Sequence, residues 1–190
     1  IFGMINSVGQ PVFREASEDR QRLQNIFRKL MRFTAFVSFP AMLGLAIVSQ
    51  ELIVISITEK WLPCVPVMQI LCVWGAFMPI STLYSNLMNS IGRPNVYMWN
   101  TIALGIFQLL CVWGSYPYGL NIMLIVYTAA NIFWLLIWHY FAHKHFGISL
   151  LNTLKDIAPY LIISVAVMTF TYWVAGYVKN IYLSLLAKIA

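Results

Sequence analysis

Four stretches of the chain, residues 33–50, 61–92, 94–143 and 157–178, contain no Asp, Glu, Lys or Arg. A helix that crosses a bilayer needs about 20 consecutive apolar residues, and these stretches hold several. The pattern predicts complete spans at 33–57, 62–90, 95–115, 120–141 and 157–177, with the end of an earlier span at 1–13 and the start of a further one at 180–190. The first two exceed the minimum, so they must tilt, kink or extend past the hydrocarbon. Polar or Pro/Gly turns separate the spans: Glu59-Lys60-Trp61-Leu62-Pro63, Gly92-Arg93-Pro94-Asn95 and Pro117-Tyr118-Gly119. Short turns make neighbouring helices antiparallel. The fold class expected is all-α, a polytopic transmembrane helix bundle.

Residues 14–32 carry a different pattern. Leu23, Ile26, Phe27, Leu30 and Met31 recur at helical spacing among Arg20, Arg22, Arg28, Lys29 and Arg32. That is the signature of an amphipathic surface helix feeding the 33–57 span. Ser17 is placed to cap it, with Glu18 and Asp19 in the first turn where the helix dipole favours acids. Residues 142–156 read as a second loop on the same side. The chain opens at Ile1 inside one apolar run and closes at Ala190 inside another, so it is expected to be a piece of a longer membrane protein.

Composition narrows the class further. Residues of the set AVILMFWYC make up 61% of the chain and charged residues 9%, against about 45–50% and about 25% in soluble domains. A water-facing surface cannot be built from this alphabet, so a soluble domain, a disordered chain and a disulfide scaffold are excluded. The net charge of +6 sits in loops between oily spans, which excludes a DNA-binding domain and any nucleic-acid partner. Lys and Arg concentrate on the cytoplasmic side of short loops. One set of loops carries nine (Arg14, Arg20, Arg22, Arg28, Lys29, Arg32, Arg93, Lys144, Lys155), the other two, Lys60 and Lys179. Loops 14–32, 91–94 and 142–156 are therefore placed in the cytoplasm. Tryptophan prefers the headgroup level: Trp61, Trp113 and Trp173 fall at outer ends, Trp99 and Trp138 at inner ends, and Trp74 and Trp134 are expected between helices.

A search for chemistry finds little that is catalytic. Cys64, Cys72 and Cys111 lack metal-ligand spacing and read as small packing residues. His139 and His143 stand one turn apart, with His145 beside them, but no Cys or carboxylate completes a metal site, and His suits a helix C-terminus. There is no nucleophile–base arrangement, phosphate loop or carboxylate pair; the expectation is no enzyme and no cofactor. What remains is polarity inside the spans. On 62–90, Gly75, Pro79, Thr82, Asn86 and Asn89 share a face, with Gln69 toward the outer end. On 95–115 the face is Asn100, Leu104, Gln108, Cys111 and Ser115, and Asn131 sits near the centre of 120–141. Amides in hydrocarbon need partners, so they face other helices or a water-filled cavity. Gln69, Thr82, Asn86, Asn89, Asn100, Gln108 and Asn131 are thus substrate-cavity candidates, their plainer role being interhelical hydrogen bonding. Arg93 and Arg32 are candidates for a cytoplasmic entrance. Pro40, Pro66, Pro79 and Pro159 mark bends within or at the ends of spans.

The order of these features resembles a known family. Ser7-Val8-Gly9-Gln10-Pro11-Val12-Phe13, the charged stretch from Glu18-Asp19-Arg20 to Arg32, Phe39-Pro40, Lys60-Trp61-Leu62-Pro63 and Asn89-Ser90-Ile91-Gly92-Arg93-Pro94 are similar to the polysaccharide transporter family (O-antigen and exopolysaccharide flippases). That family belongs to the multidrug/oligosaccharidyl-lipid/polysaccharide exporter superfamily. The resemblance implies the second half of a two-lobed, MATE-like fold in the bacterial inner membrane, with the N-terminal half of the same protein as its packing partner. It implies movement of an undecaprenyl-pyrophosphate-linked oligosaccharide between leaflets for O-antigen, capsule or exopolysaccharide synthesis, coupled to a proton or sodium gradient. The spans carry no ionisable residue well inside them to serve that coupling; Glu51 lies toward an outer end. Two alternatives stand beside this reading: a MATE-type drug or cation exporter, and a membrane-embedded glycan polymerase or acyltransferase. The short outer turns count against the last.

Overall fold

The computed structural model describes Phe13, residues 19–90 and residues 94–175. Among them are five helices long and apolar enough to cross a membrane, and no strand. The helices are α1 (Arg20–Ser56), α2 (Val65–Ser90), α3 (Pro94–Ser115), α4 (Leu120–Phe146) and α5 (Leu150–Ala175). Short 3-10 segments, Glu59–Cys64 and Tyr116–Tyr118, join α1 to α2 and α3 to α4. The chain is an all-α membrane bundle. Of the expected span ends, residues 1–12 and 180–190 lie outside the described residues, as does the turn residue Arg93.

Two expectations are corrected. The amphipathic segment 14–32 and the span 33–57 are not separate elements: one helix of 37 residues runs through both. Its charges mark where the helix meets water, and a change from polar to apolar side chains does not interrupt i→i−4 hydrogen bonding. At about 1.5 Å per residue α1 is about 55 Å long, well beyond the roughly 30 Å hydrocarbon core. The cap is Asp19 rather than Ser17: the Asp19 carboxylate accepts from the backbone N–H of Gln21 at 2.9 Å and of Arg22 at 3.1 Å. The second correction concerns 142–156, which is almost all helical. α4 continues to Phe146 and α5 begins at Leu150, leaving Gly147, Ile148 and Ser149 as the whole connection. Gly147 ends α4 in the left-handed region (φ 69°), and its N–H bonds the His143 carbonyl at 2.8 Å, the usual helix-terminating device.

The helices do not pack in chain order. α1 lies between α5 and α2, α2 continues to α4, and α3 closes the other edge against α4. Where α1 crosses α2 the surfaces are small. A Cβ on Gly75 would lie 2.6 Å from the Met42 methyl, and the Ser38 hydroxyl donates to the Ala76 carbonyl at 2.8 Å. Small residues of this kind let helix backbones approach where lipid supplies no hydrophobic drive. α1, α2 and α5 continue through Pro40, Pro79 and Pro159.

The buried core is concentrated toward one end, where the N-terminus of α1, the C-termini of α2 and α4 and the start of α5 meet. Phe27, Met31, Leu83, Tyr84, Leu87, Met88, Trp138, Ala142 and Ile148 belong to it. Most Lys and Arg of the described residues also lie here, and it is called the basic end below. Trp138, expected at the headgroup level, is 3% exposed and packs on Tyr97 at 6.1 Å between ring centroids. Trp134 is buried between α3 and α4.

Candidate functional site

Three polar assemblies stand out. The first is a ladder between α3 and α4. Asn100 Oδ1 accepts from the Trp134 indole N–H at 2.8 Å. About two turns along, the Gln108 amide donates to Asn131 Oδ1 at 2.8 Å, and Asn131 in turn donates to the Tyr127 carbonyl at 2.8 Å. The spacing 100, 104, 108 repeats every fourth residue, which keeps the amides on the face toward α4. Asn100 Nδ2 is buried without a hydrogen-bond partner, beside a groove of about 560 Å³ lined by Asn95, Trp99, Ala103 and Phe141.

The second assembly is a clasp at the basic end. Arg20 Nε and Gln24 Nε2 both donate to the Phe146 carbonyl, at 2.9 and 2.7 Å, so α1 satisfies a carbonyl that the end of α4 leaves free. A turn or two further, Arg28 grips Asp156 of α5 with two bonds, Nε to Oδ2 at 2.6 Å and Nη2 to Oδ1 at 3.1 Å. Arg32 adds Nε and Nη2 to the same Oδ1, at 2.8 and 2.6 Å. Asp156 is 4% exposed. Two guanidiniums on one carboxylate leave the cluster with one net positive charge. Their forked geometry also suits phosphate oxygens.

The third is the pair Tyr84–His139, hydroxyl to Nδ1 at 3.0 Å across the α2–α4 seam. The three histidines do not converge: His143 Nδ1 lies 3.0 Å from the Ile148 carbonyl, and the His145 ring packs against Phe146. Among the described residues no group of three His, Cys, Asp or Glu could hold a metal ion.

The candidates named from sequence thus fall into different places. Gln108 and Asn131 bond each other, and Asn100 bonds Trp134. Gln69 is exposed and donates to the Ala46 carbonyl of α1 at 3.3 Å. Thr82 bonds the Met78 carbonyl in its own helix at 3.1 Å. Asn86 is buried, with its carbonyl accepting from the Ser90 hydroxyl at 2.6 Å, and Asn89 is half-buried. Arg32 is engaged by Asp156. Arg93 lies outside the described residues. Sequence reasoning missed Asp156, Tyr84, Gln24 and Arg28 as partners. Asp156 alone carried a local signal, a single acid in the first turns of a helix that follows a basic run.

Five apolar helices with their amides turned to one another define a multi-pass membrane protein. Comparison with known proteins gives it relatives. Residues 1–66 match the family described as polysaccharide biosynthesis protein. Over 105 residues, 55% of this chain, it is 33% identical to an uncharacterized membrane protein in the cps region of Klebsiella pneumoniae. Over the same length it is 31% identical to the lipopolysaccharide biosynthesis protein WzxC of Escherichia coli K12 and 25% identical to the teichuronic acid biosynthesis protein TuaB of Bacillus subtilis 168. These alignments cover 22%, 21% and 22% of the relatives, so the matched part spans about a fifth of their length. No solved structure matches. The resemblance to the polysaccharide transporter family thus rests on these relatives as well as on the motifs, over about half of the chain.

Proposed function

We propose that this chain is part of an integral membrane flippase that moves a lipid-linked oligosaccharide, carried on undecaprenyl pyrophosphate, from the cytoplasmic to the outer leaflet of the bacterial inner membrane. A hydrated sugar and a diphosphate cannot cross hydrocarbon unaided, so a polar path must replace their water while the lipid tail stays in the bilayer. The observation that carries the reading is the kinship with proteins named for lipopolysaccharide and teichuronic acid biosynthesis, in a chain whose spans hold amides. Asn100, whose Nδ2 is buried without a hydrogen-bond partner beside the α3–α4 groove, offers a neutral donor of the kind that suits sugar hydroxyls. The Arg28–Asp156–Arg32 cluster, with its residual positive charge, stands at the basic end, where a diphosphate would arrive from the cytoplasm. In this reading the chain moves its substrate without altering a bond of it.

The test is genetic. A strain lacking the whole gene should lose its surface glycan and accumulate the lipid-linked oligosaccharide on the cytoplasmic side, and the full-length protein should restore both. A deletion strain that still displays the glycan while failing to polymerise or acylate it would replace the flippase by a membrane enzyme. Sensitivity to cationic drugs with an intact glycan would favour a MATE-type exporter.

A further inference from the structure

His139 stands on α4 inside the charge-free run 94–143 and is 6% exposed. Its Nδ1 meets the Tyr84 hydroxyl at 3.0 Å, the two rings lying edge to face with centroids 6.0 Å apart. Its Nε2 is buried with no hydrogen-bond partner. A buried polar nitrogen in this position is costly unless something pairs with it. Both side chains line a groove of about 180 Å³ between α2, α4 and α5, walled by Ile80, Leu135 and Ile157 and carrying Thr153 of α5 beside Tyr84. The groove is roomy enough for water, and Nε2 and the two hydroxyls supply the polar partners that ordered water requires.

We propose that His139, together with Tyr84, is a proton-binding site within the spans, reached by water through this groove. Histidine changes charge near neutral pH. In the neutral imidazole one nitrogen donates and the other accepts. When the ring takes up a solvent proton relayed along groove water, both nitrogens become donors. Nδ1 then donates to the Tyr84 oxygen and Nε2 to water, and the tyrosine O–H turns to donate to the Thr153 hydroxyl, whose own hydrogen goes to the Ser149 carbonyl. Proton uptake therefore transfers the Tyr84 donor from the α2–α4 seam to the α2–α5 seam, between two helices joined in sequence only by residues 147–149. The ionisable groups around the site are few. α4 itself contributes His143, one turn toward the basic end. α5 contributes Asp156, one turn past Thr153, already engaged by Arg28 and Arg32. α1 presents to Tyr84 the ring of Phe27 at 5.2 Å, which carries no charge.

The readout is protonation itself, so the site stands or falls apart from the flippase reading. Full-length protein labelled at histidine with ¹⁵N and held in lipid nanodiscs is titrated from about pH 5 to about pH 8, with His139→Gln assigning the resonance. The expected result is passage of His139 from a single neutral tautomer to the doubly protonated ring within that range, at a midpoint that moves in Tyr84→Phe. Should His139→Gln fail to fold, the resonance displaced by both Tyr84→Phe and Thr153→Val identifies the site. A His139 that stays neutral throughout, a midpoint unchanged in Tyr84→Phe, or no histidine resonance displaced by either variant would overturn the proposal.

Discussion

At the basic end of the bundle, α1 reaches across both the end of α4 and the beginning of α5 through Arg20, Gln24, Arg28 and Arg32. Beneath these bonds lies a layer of fully buried side chains, Phe27, Met31, Leu83, Leu87 and Met88 among them. At the opposite end Trp113 is 79% exposed, Tyr116 78% and Leu109 71%, whereas at the basic end the exposed side chains, such as Trp99 and Leu151, surround that buried layer. Away from the basic end, the Gln69 amide donates to the Ala46 carbonyl of α1 at 3.3 Å. The contrast follows from the solvent at each level. In hydrocarbon an apolar side chain gains nothing by leaving lipid for a neighbouring helix, so association rests on close packing and a few amide bonds. Where helices end at the membrane surface, carbonyls and charges must find partners, and specificity can be written in polar contacts. The bundle is thus fastened at one end and left adaptable toward lipid, or toward the rest of the protein, at the other.

This contrast can be broken by substitution, each measured as equilibrium unfolding of the full-length protein in detergent. Asp156→Ala removes the carboxylate that holds two guanidiniums. Breaking a buried pair costs about 3–5 kcal/mol, but Arg28 and Arg32 are 34% and 48% exposed and keep part of their water. A loss of about 2–3 kcal/mol is therefore expected, and no loss would mean that the clasp holds nothing.

Gly147→Ala comes next. An L-residue in the left-handed region costs about 1–2 kcal/mol, and the new Cβ would stand 2.7 Å from Arg20 Nη2, so the Arg20 bond to Phe146 should weaken as well. Adding Arg20→Ala should remove part of that penalty, and strictly additive losses would show that the two residues act separately.

In the middle of the bundle, Trp134→Phe and Gln108→Leu each delete an α3–α4 bond. Such bonds average about 0.6 kcal/mol in membrane proteins and reach about 1.7. A double-mutant cycle between Gln108 and Asn131 should return a coupling of that size. Coupling near zero would leave those amides free for a ligand. The smallest effect is expected from Gln69→Leu at the opposite end, within about 0.5 kcal/mol; a loss as large as that of Asp156→Ala would erase the difference between the two ends.

Much of this architecture is legible in the chain. The charge gaps and the turns at 59–63 and 117–119 locate α2, α3 and most of α4, because water and lipid sort side chains more strictly than any local propensity does. The joins at 14–33 and 142–156 are misread for one reason: a charge marks the membrane surface but does not stop a helix. The true stop was present as Gly147, a residue suited to the left-handed cap, two residues before Ser149 and the new helix at Leu150. The amides on α3 and α4 were visible from their spacing, yet their partners were not. Pairings such as Arg28 with Asp156 or Tyr84 with His139 join positions 128 and 55 residues apart, and they depend on the packing order α5–α1–α2–α4–α3, which no local pattern encodes.

Translocation by the purified full-length protein is the most direct measurement. Proteoliposomes loaded on one leaflet with undecaprenyl pyrophosphate bearing a short oligosaccharide are exposed to a glycosidase confined to the other side. The account predicts that the sugar becomes cleavable with time only in vesicles containing the protein. Sugar that stays protected as in protein-free vesicles, with the protein folded and correctly inserted, would contradict it.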